Sequence, residues 1–144
     1  MGQFTELLNS KEIGIKDGRT VHRLNEPLVW THGDKRVEVP SGCETDLASV
    51  PRLPLIYWIW GDRAHREAVL HDYLYRIDAV LWIGKSICKN VTKDEADWLF
   101  REAMRGQGRA WGIYQPMYWA VRTAGGSSFH RMSVMDHFEL DEAA

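Results

Sequence analysis

The sequence predicts an α+β fold in which an N-terminal antiparallel β-meander packs on about three C-terminal helices. Up to residue 40, apolar and polar residues alternate between glycine-containing turns, which is typical of strands. After residue 60, apolar residues recur at helical spacing. Strands followed by helices in a chain of 144 residues indicate one domain. We expect this domain to span 1–144, with a β-rich part at 1–52, a helical part at 60–126 and an irregular tail at 127–144.

Two hairpins account for most of the predicted β-rich part. The stretch EIGIKDGRTVHRL alternates around Asp17-Gly18, and an Asp-Gly pair between alternating segments is a strong hairpin signal. The stretch PLVWTHGDKRVEVP repeats this pattern around Gly33-Asp34. We therefore expect three or four short antiparallel strands, which end at Pro40.

Three helices are predicted from their start and stop signals. The first begins at Asp62, a good N-cap, and runs to about Val80. The second opens with TKDE, a capping box in which Thr92 caps the helix, and ends at Gly106. The third lies in QPMYWAVRTAGG, with Pro116 near its first turn and Gly125 past its end.

Composition excludes several classes of protein. The net charge is −2 and no segment is densely basic, which argues against a nucleic-acid binder that relies on phosphate neutralisation. The longest apolar run, LPLIYWIW at 53–60, is too short to span a bilayer, and the N-terminus lacks the pattern of a signal peptide. Cys43 and Cys88 have no zinc-site spacing, so we expect both to be reduced. These features predict a soluble protein made in the cytoplasm.

The Trp-rich segment at residues 56–60 is the main candidate for an interaction surface. Aromatic residues concentrate in cores and at protein interfaces, and Trp and Tyr also favour the surface of a lipid bilayer. An apolar patch of this size seldom stays in contact with water. We therefore expect the segment to be buried in the monomer or covered by another chain, with a phospholipid surface as the alternative.

The candidate catalytic residues lie on the first two predicted helices. His71 and Asp72 stand side by side in AVLHDYLY, an apolar stretch in which a buried charge must be paired or bind a metal. Asp97 borders the apolar strip of the second helix. If the helices pack together, a carboxylate that accepts from Nδ1 of His71 would raise the basicity of its other nitrogen, and a second carboxylate could hold a cation. This arrangement of base, orienting group and metal could activate water.

The same residues resemble two motifs of the secretory and parvoviral phospholipases A2. HDYLY matches their His-Asp-x-x-Tyr helix, and ADWLF matches their second helix, in which Phe follows Asp at the third position. The resemblance implies that His71 is the general base and that Asp97, helped by Tyr75, orients it. It also implies that Asp72 binds calcium. The calcium loop of that family and the cysteines that brace its helices are absent from this sequence.

A wider resemblance covers nearly the whole chain. VPSGCETDLASVPR, REAVLHDYLY, EADWLFREAM and MYWAVRTAGG are similar, in order and spacing, to the motifs of domain-of-unknown-function family 1353. That family consists of phage and prophage proteins of about this length. The resemblance implies a phage-encoded protein, found in the virion or the host cytoplasm, with other phage structural proteins as partners. It implies little about mechanism.

Several alternatives stay open. One alternative is a buried His71 bonded to a backbone carbonyl, with Asp72 paired to Arg52 or Arg122, so that the cluster is only structural. Asp46 in TDLASVPR is a candidate further metal ligand, although turn formation alone explains that stretch. His65, seven residues before Asp72, allows a zinc site instead of a calcium site.

Two function classes therefore remain. One is a late phage protein, structural or tail-associated. The other is a metal-dependent ester hydrolase that acts on the host envelope during entry or lysis.

Overall fold

The computed structural model of the chain describes residues 3–5, 8–45, 65–88, 91–124, 129–130 and 132–143. Within these residues the three helices are α1 (His65–Leu74), α2 (Lys93–Gly106) and α3 (Trp111–Ala124). The strands are β1 (Gln3–Phe4), β2 (Ser10–Lys16), β3 (Arg19–Leu24), β4 (Leu28–His32), β5 (Lys35–Val39), β6 (Glu44–Thr45), β7 (Leu81–Ile83), β8 (Ser86–Cys88) and β9 (Glu142–Ala143).

The strands form two antiparallel sheets, and the predicted α+β class is confirmed. One sheet has five strands in the order β1-β4-β5-β7-β8, and the other has four in the order β6-β3-β2-β9. Helix α1 contacts β4 and β5 of the first sheet and β6 of the second. The residues at 65–74 therefore lie where both sheets meet the helices.

Both predicted hairpins are present. β2 and β3 are joined by Asp17 and Gly18, whose φ angles of 51° and 75° are positive at both central residues, as a type I′ turn requires. Strands β4 and β5 pair from Leu28 with Val39 to His32 with Lys35, around Gly33 and Asp34. Turn chemistry that is visible in the sequence therefore sets the register of these two strand pairs.

The first helix and the helical part at 60–126 differ from the prediction. Helix α1 ends at Leu74, not near Val80, because the chain beyond it bonds to a distant segment. The amide of Ile77 donates to the carbonyl of Met132, and the amide of His130 donates to the carbonyl of Tyr75. Strands β7 and β8 then form a hairpin that was not predicted and extend the five-stranded sheet.

The second and third helices follow their predictions more closely. Helix α2 has Thr92 as its N-cap, and the Thr92 side chain accepts a hydrogen bond from the backbone N–H of Glu95. Helix α3 begins at Trp111, earlier than predicted, so that Pro116 lies inside the helix.

The core has two parts. The larger one lies between the sheets and the helices and includes Trp30, Leu70 and Leu99. The smaller one joins the three helices and consists of Ala68, Phe100, Met104, Tyr114, Met117 and Val121. Between these two parts lies the region in which α1 faces α2.

The end of the chain is more ordered than the irregular tail predicted at 127–144. Strand β9 pairs with Gly14 and Ile15 of β2. A Cβ atom at Gly14 would collide with the carbonyl oxygen of Glu142, so this pairing requires glycine. The side chain of Asp141 accepts from the backbone N–H of Asp17. Residues 142 and 143 therefore form the edge of the four-stranded sheet beside β2.

Some predictions fall outside the described part of the chain. These are the N-cap at Asp62, the glycine stop at Gly125 and the environment of the Trp-rich segment at 56–60. Among the described helices, none has the length and apolar character needed to cross a membrane.

The cap of α2 gives a prediction on stability. Thr92→Ala removes the acceptor for the Glu95 N–H, and we expect the free energy of unfolding to fall by about 1 kcal/mol in urea denaturation. Thr123→Ala is the matched control, because its exposed hydroxyl bonds only to the Trp119 and Ala120 carbonyls within α3. Equal losses in the two variants would contradict a capping role.

Candidate functional site

Helix α1 carries His71 and Asp72 into the interior, and Tyr75 stands directly after its last residue. His71 is fully buried, Tyr75 follows one turn later on the same face, and Asp72 is 8% exposed. The ring of His71 lies between two aromatic rings, with its centroid 4.2 Å from that of Tyr75 and 4.5 Å from that of Phe100. The imidazole is therefore held in a fixed orientation by packing.

Asp97 of α2 meets His71 directly. Its Oδ1 lies 2.8 Å from Nε2 of His71 and accepts a second hydrogen bond of 2.5 Å from the hydroxyl of Tyr75. The predicted contact between Asp97 and a ring nitrogen of His71 is confirmed. The contacting nitrogen is Nε2, whereas the sequence argument assumed Nδ1.

The other oxygen of Asp97 is bound by two cations. Oδ2 accepts from Nζ of Lys93 at 2.9 Å and from the guanidinium of Arg122 at 3.3 Å. Burial alone would raise the pKa of Asp97, but the hydrogen bonds from His71, Tyr75 and Lys93 outweigh it and lower the pKa to about 2. Asp97 is therefore a carboxylate at neutral pH.

The ionisation of Asp97 determines the tautomer of His71. Burial lowers the pKa of His71 and outweighs the opposing effect of Asp97, so the imidazole is neutral at neutral pH. Its one N–H lies on Nε2, because the carboxylate can only accept. Nδ1 then carries the lone pair, and this buried atom has no hydrogen-bond partner among the described residues.

Tyr75 acts as a donor and not as an acid. Burial raises the pKa of its hydroxyl, and the hydrogen bond to Asp97 raises it further. The hydroxyl therefore keeps its proton and shares Oδ1 with His71. The ring of Phe129 packs edge-on against the Tyr75 ring, with centroids 5.3 Å apart.

Asp72 has partners of its own. Its Oδ2 accepts from the hydroxyl of Thr45 and, at 3.4 Å, from the guanidinium of Arg76. Arg76 also donates to the backbone carbonyls of Glu44 and Ser133, so its position is fixed. Among the described residues, the cation beside Asp72 is thus Arg76 and not Arg122, while Arg52 lies outside the described part of the chain.

These contacts disfavour a metal ion at Oδ2 of Asp72, and the role of Asp72 as a metal ligand stays a prediction. A divalent cation bound to its Oδ2 would lie close to the guanidinium of Arg76 and be repelled by it. The described residues hold no group of three His, Cys, Asp or Glu side chains that could bind a metal. Asp46 and the side chain of His65 lie outside the described part of the chain, so their roles as ligands stay predictions.

Lys93 and Arg76 were not among the site residues predicted from the sequence. Both stand four residues from the carboxylate that they bind, which places them on the same helix face as Asp97 and Asp72. This spacing is visible in the sequence and could have identified both. Arg122 comes from α3, and its contact with Asp97 depends on how the helices pack.

Comparison with known proteins assigns the chain to a family. The described part of the chain is an α+β domain with a buried His-Asp-Tyr cluster between two helices. The family model for a protein of unknown function (DUF1353) matches residues 22–121, from β3 to α3, and the chain belongs to this family. The corresponding searches of curated proteins and of solved structures give no match.

The two lowered pKa values predict how stability depends on pH. The folded pKa of His71 lies below its unfolded value of about 6.5. As the pH decreases, His71 is therefore protonated in the unfolded chain before it is in the folded chain, and the free energy of unfolding falls as the pH decreases through that value.

Asp97 titrates near pH 2 when folded and near pH 4 when unfolded, so it stabilises the fold above pH 4 by roughly 2–3 kcal/mol. This contribution is lost as the pH falls from 4 to 2.

Urea denaturation across the pH range measures both effects. We expect His71→Asn to remove the part of the decline that begins near pH 6.5 and Asp97→Asn to remove the part below pH 4. If both variants kept the pH dependence of the unsubstituted chain, the assigned protonation states would be wrong.

Asp72 gives a separate prediction about metals. Because Arg76 already balances its charge, we expect added calcium or zinc to shift the melting temperature of the unsubstituted chain and of Asp72→Asn equally. Thermal denaturation with and without each metal and a chelator tests this. A stabilisation by calcium that is lost in Asp72→Asn would restore Asp72 as a ligand.

Proposed function

We propose that His71 is a general base that activates water for the hydrolysis of an ester. The observation that carries this proposal is the Nδ1 of His71, which has no hydrogen-bond partner among the described residues, on a ring whose other nitrogen is fixed by Asp97. An unsatisfied buried acceptor costs about 1–3 kcal/mol, and such groups occur where chemistry requires them. A purely structural histidine would gain by bonding both nitrogens.

The geometry supports a simple reaction sequence. Nδ1 accepts a proton from a water molecule while the water oxygen forms a bond to the carbonyl carbon of the ester. The negative charge of Asp97 stabilises the imidazolium that results. When the tetrahedral intermediate collapses, the carbon–oxygen bond to the leaving alcohol breaks and Nδ1 returns the proton to that oxygen. Tyr75 keeps Asp97 in place throughout.

The resemblance to the phospholipases A2 supports the class of substrate. It rests on HDYLY and ADWLF, and the contacts of His71 and Tyr75 with Asp97 fit the roles that it implies. We propose a phospholipid as the ester and the host envelope as the place of action of a phage-encoded protein, during entry or lysis. Calcium enters no step, since Asp72 is paired with Arg76.

A second candidate is a late phage protein that is virion- or tail-associated, in which the cluster only stabilises the helices. The observation that favours it is the complete burial of His71, because water and substrate must reach Nδ1. On this proposal the partners are other phage structural proteins.

His71→Asn distinguishes the two proposals. Asparagine keeps a polar group of similar size but cannot accept a proton near neutral pH. We expect fatty-acid release from phospholipid vesicles to fall on the order of a hundredfold or more. His130→Asn is the matched control, since His130 is exposed and asparagine tolerates its φ of 57°. We expect that variant to keep full activity.

The stability of His71→Asn gives a second measurement that separates the two proposals. If the unsubstituted chain releases no fatty acid and His71→Asn loses roughly 1–3 kcal/mol of stability, the cluster is structural and the second proposal stands. Equal hydrolysis by the unsubstituted chain and a folded His71→Asn would exclude His71 as the base.

A further inference from the structure

Lys93 has three hydrogen-bond acceptors around its ammonium group. Nζ donates to Oδ2 of Asp97 at 2.9 Å and to the backbone carbonyls of Val121 and Arg122 at 3.0 and 3.1 Å. An ammonium group has three N–H bonds, so each has one acceptor. The two carbonyls lie in the last turn of α3, where they lack partners within the helix. Lys93 therefore joins α3 to the carboxylate that contacts His71.

The contact with Lys93 constrains the orientation of Asp97. The carboxylate can rotate about its Cβ–Cγ bond unless both oxygens are held. Lys93 and Arg122 hold Oδ2, which leaves Oδ1 facing Nε2 of His71 and the hydroxyl of Tyr75. Of the two cations, Lys93 is closer to Asp97, and Arg122 is shared with the exposed Asp94.

The charged side chains around Asp97 sum to zero without a charge on His71. Lys93 and Arg122 are positive, and Asp94 and Asp97 are negative. The imidazole therefore need not be charged to neutralise Asp97. If Lys93 were removed, Oδ2 of the buried carboxylate would keep, among the described residues, only its longer contact with Arg122, at 3.3 Å.

We propose that Lys93 is a positioning residue for His71. It acts through Asp97, keeps the proton of His71 on Nε2, and links the end of α3 to the site. This inference rests on the proposed role of His71 as a general base. It goes beyond that role because it makes the position of α3 a determinant of activity.

Substitution of Lys93 tests the inference. We expect Lys93→Met to lower kcat for vesicle hydrolysis about 10–100-fold with little change in KM, because a group that orients a catalytic side chain acts on chemistry more than on binding. Lys93→Arg keeps the charge and should restore most of the activity. Lys11→Met is the control, since Lys11 is exposed on β2 and distant in sequence from the cluster.

Nuclear magnetic resonance of ¹⁵N-labelled histidine gives a readout that does not require hydrolysis. We expect a single tautomer of His71, with the proton on Nε2, in the unsubstituted chain and in Lys93→Arg, and a mixture of tautomers in Lys93→Met. A lysine that only stabilises α3 would lower the melting temperature without changing the tautomer. A folded Lys93→Met with unchanged kcat and an unchanged tautomer overturns the inference.

The failure of this inference and that of the proposed function are distinguishable. Absence of hydrolysis by the unsubstituted chain refutes the general-base proposal, while the tautomer comparison still decides the role of Lys93.

If Lys93→Met does not fold, measurements on the unsubstituted chain test the role of Lys93. A mixture of His71 tautomers there overturns the inference. The inference is supported if His71 has a single Nε2–H tautomer and if Lys93 is reductively methylated more slowly than Lys11. This difference in methylation rate should disappear in Asp97→Asn.

Discussion

A carboxylate removed from water needs donors and positive charge around it, and Asp97 obtains both from three helices. His71 comes from α1 and Tyr75 from the turn that follows it, while Lys93 comes from the helix of Asp97 itself and Arg122 from α3. Removing one partner of such a buried pair typically costs about 3–5 kcal/mol, so the helices are constrained to pack where all four contacts can form. This requirement fixes the ring of His71 more tightly than apolar packing alone would.

A second buried group ties the helices to the sheets. The guanidinium of Arg76 bonds to Asp72 and to the backbone carbonyls of Glu44 in β6 and Ser133 near the chain end. The carboxylate of Glu44 in turn accepts from Arg23 and from the backbone N–H of Phe138. The end of α1, the four-stranded sheet and the segment at 132–143 are therefore held at one place. The neighbouring residues His71 and Asp72 therefore have different roles. His71 is part of the candidate site, whereas Asp72 stabilises the fold through its contact with Arg76.

The sequence predicted the elements whose signals are local. Asp17-Gly18 and the cap at Thr92 determine their structures through nearby backbone groups, and both were found as expected. The contact of His71 with Asp97 was also predictable, because each lies on the core side of its helix. The β7–β8 hairpin and the early end of α1 were not predictable in this way. They depend on pairing with β5 and on hydrogen bonds to residues 130 and 132, which are distant in sequence.

The pairing of β9 with β2 has a consequence for the order of folding during synthesis. Strands β2 and β3 leave the ribosome before β9, so the edge of β2 that pairs with β9 is covered only when residues 142 and 143 follow. Until then, unpaired backbone groups of β2 are open to pairing with other nascent chains. Lys11 and Lys16 both lie on this strand, and lysine at a sheet edge disfavours such pairing. These lysines would protect the growing polypeptide against aggregation until β9 has been synthesised.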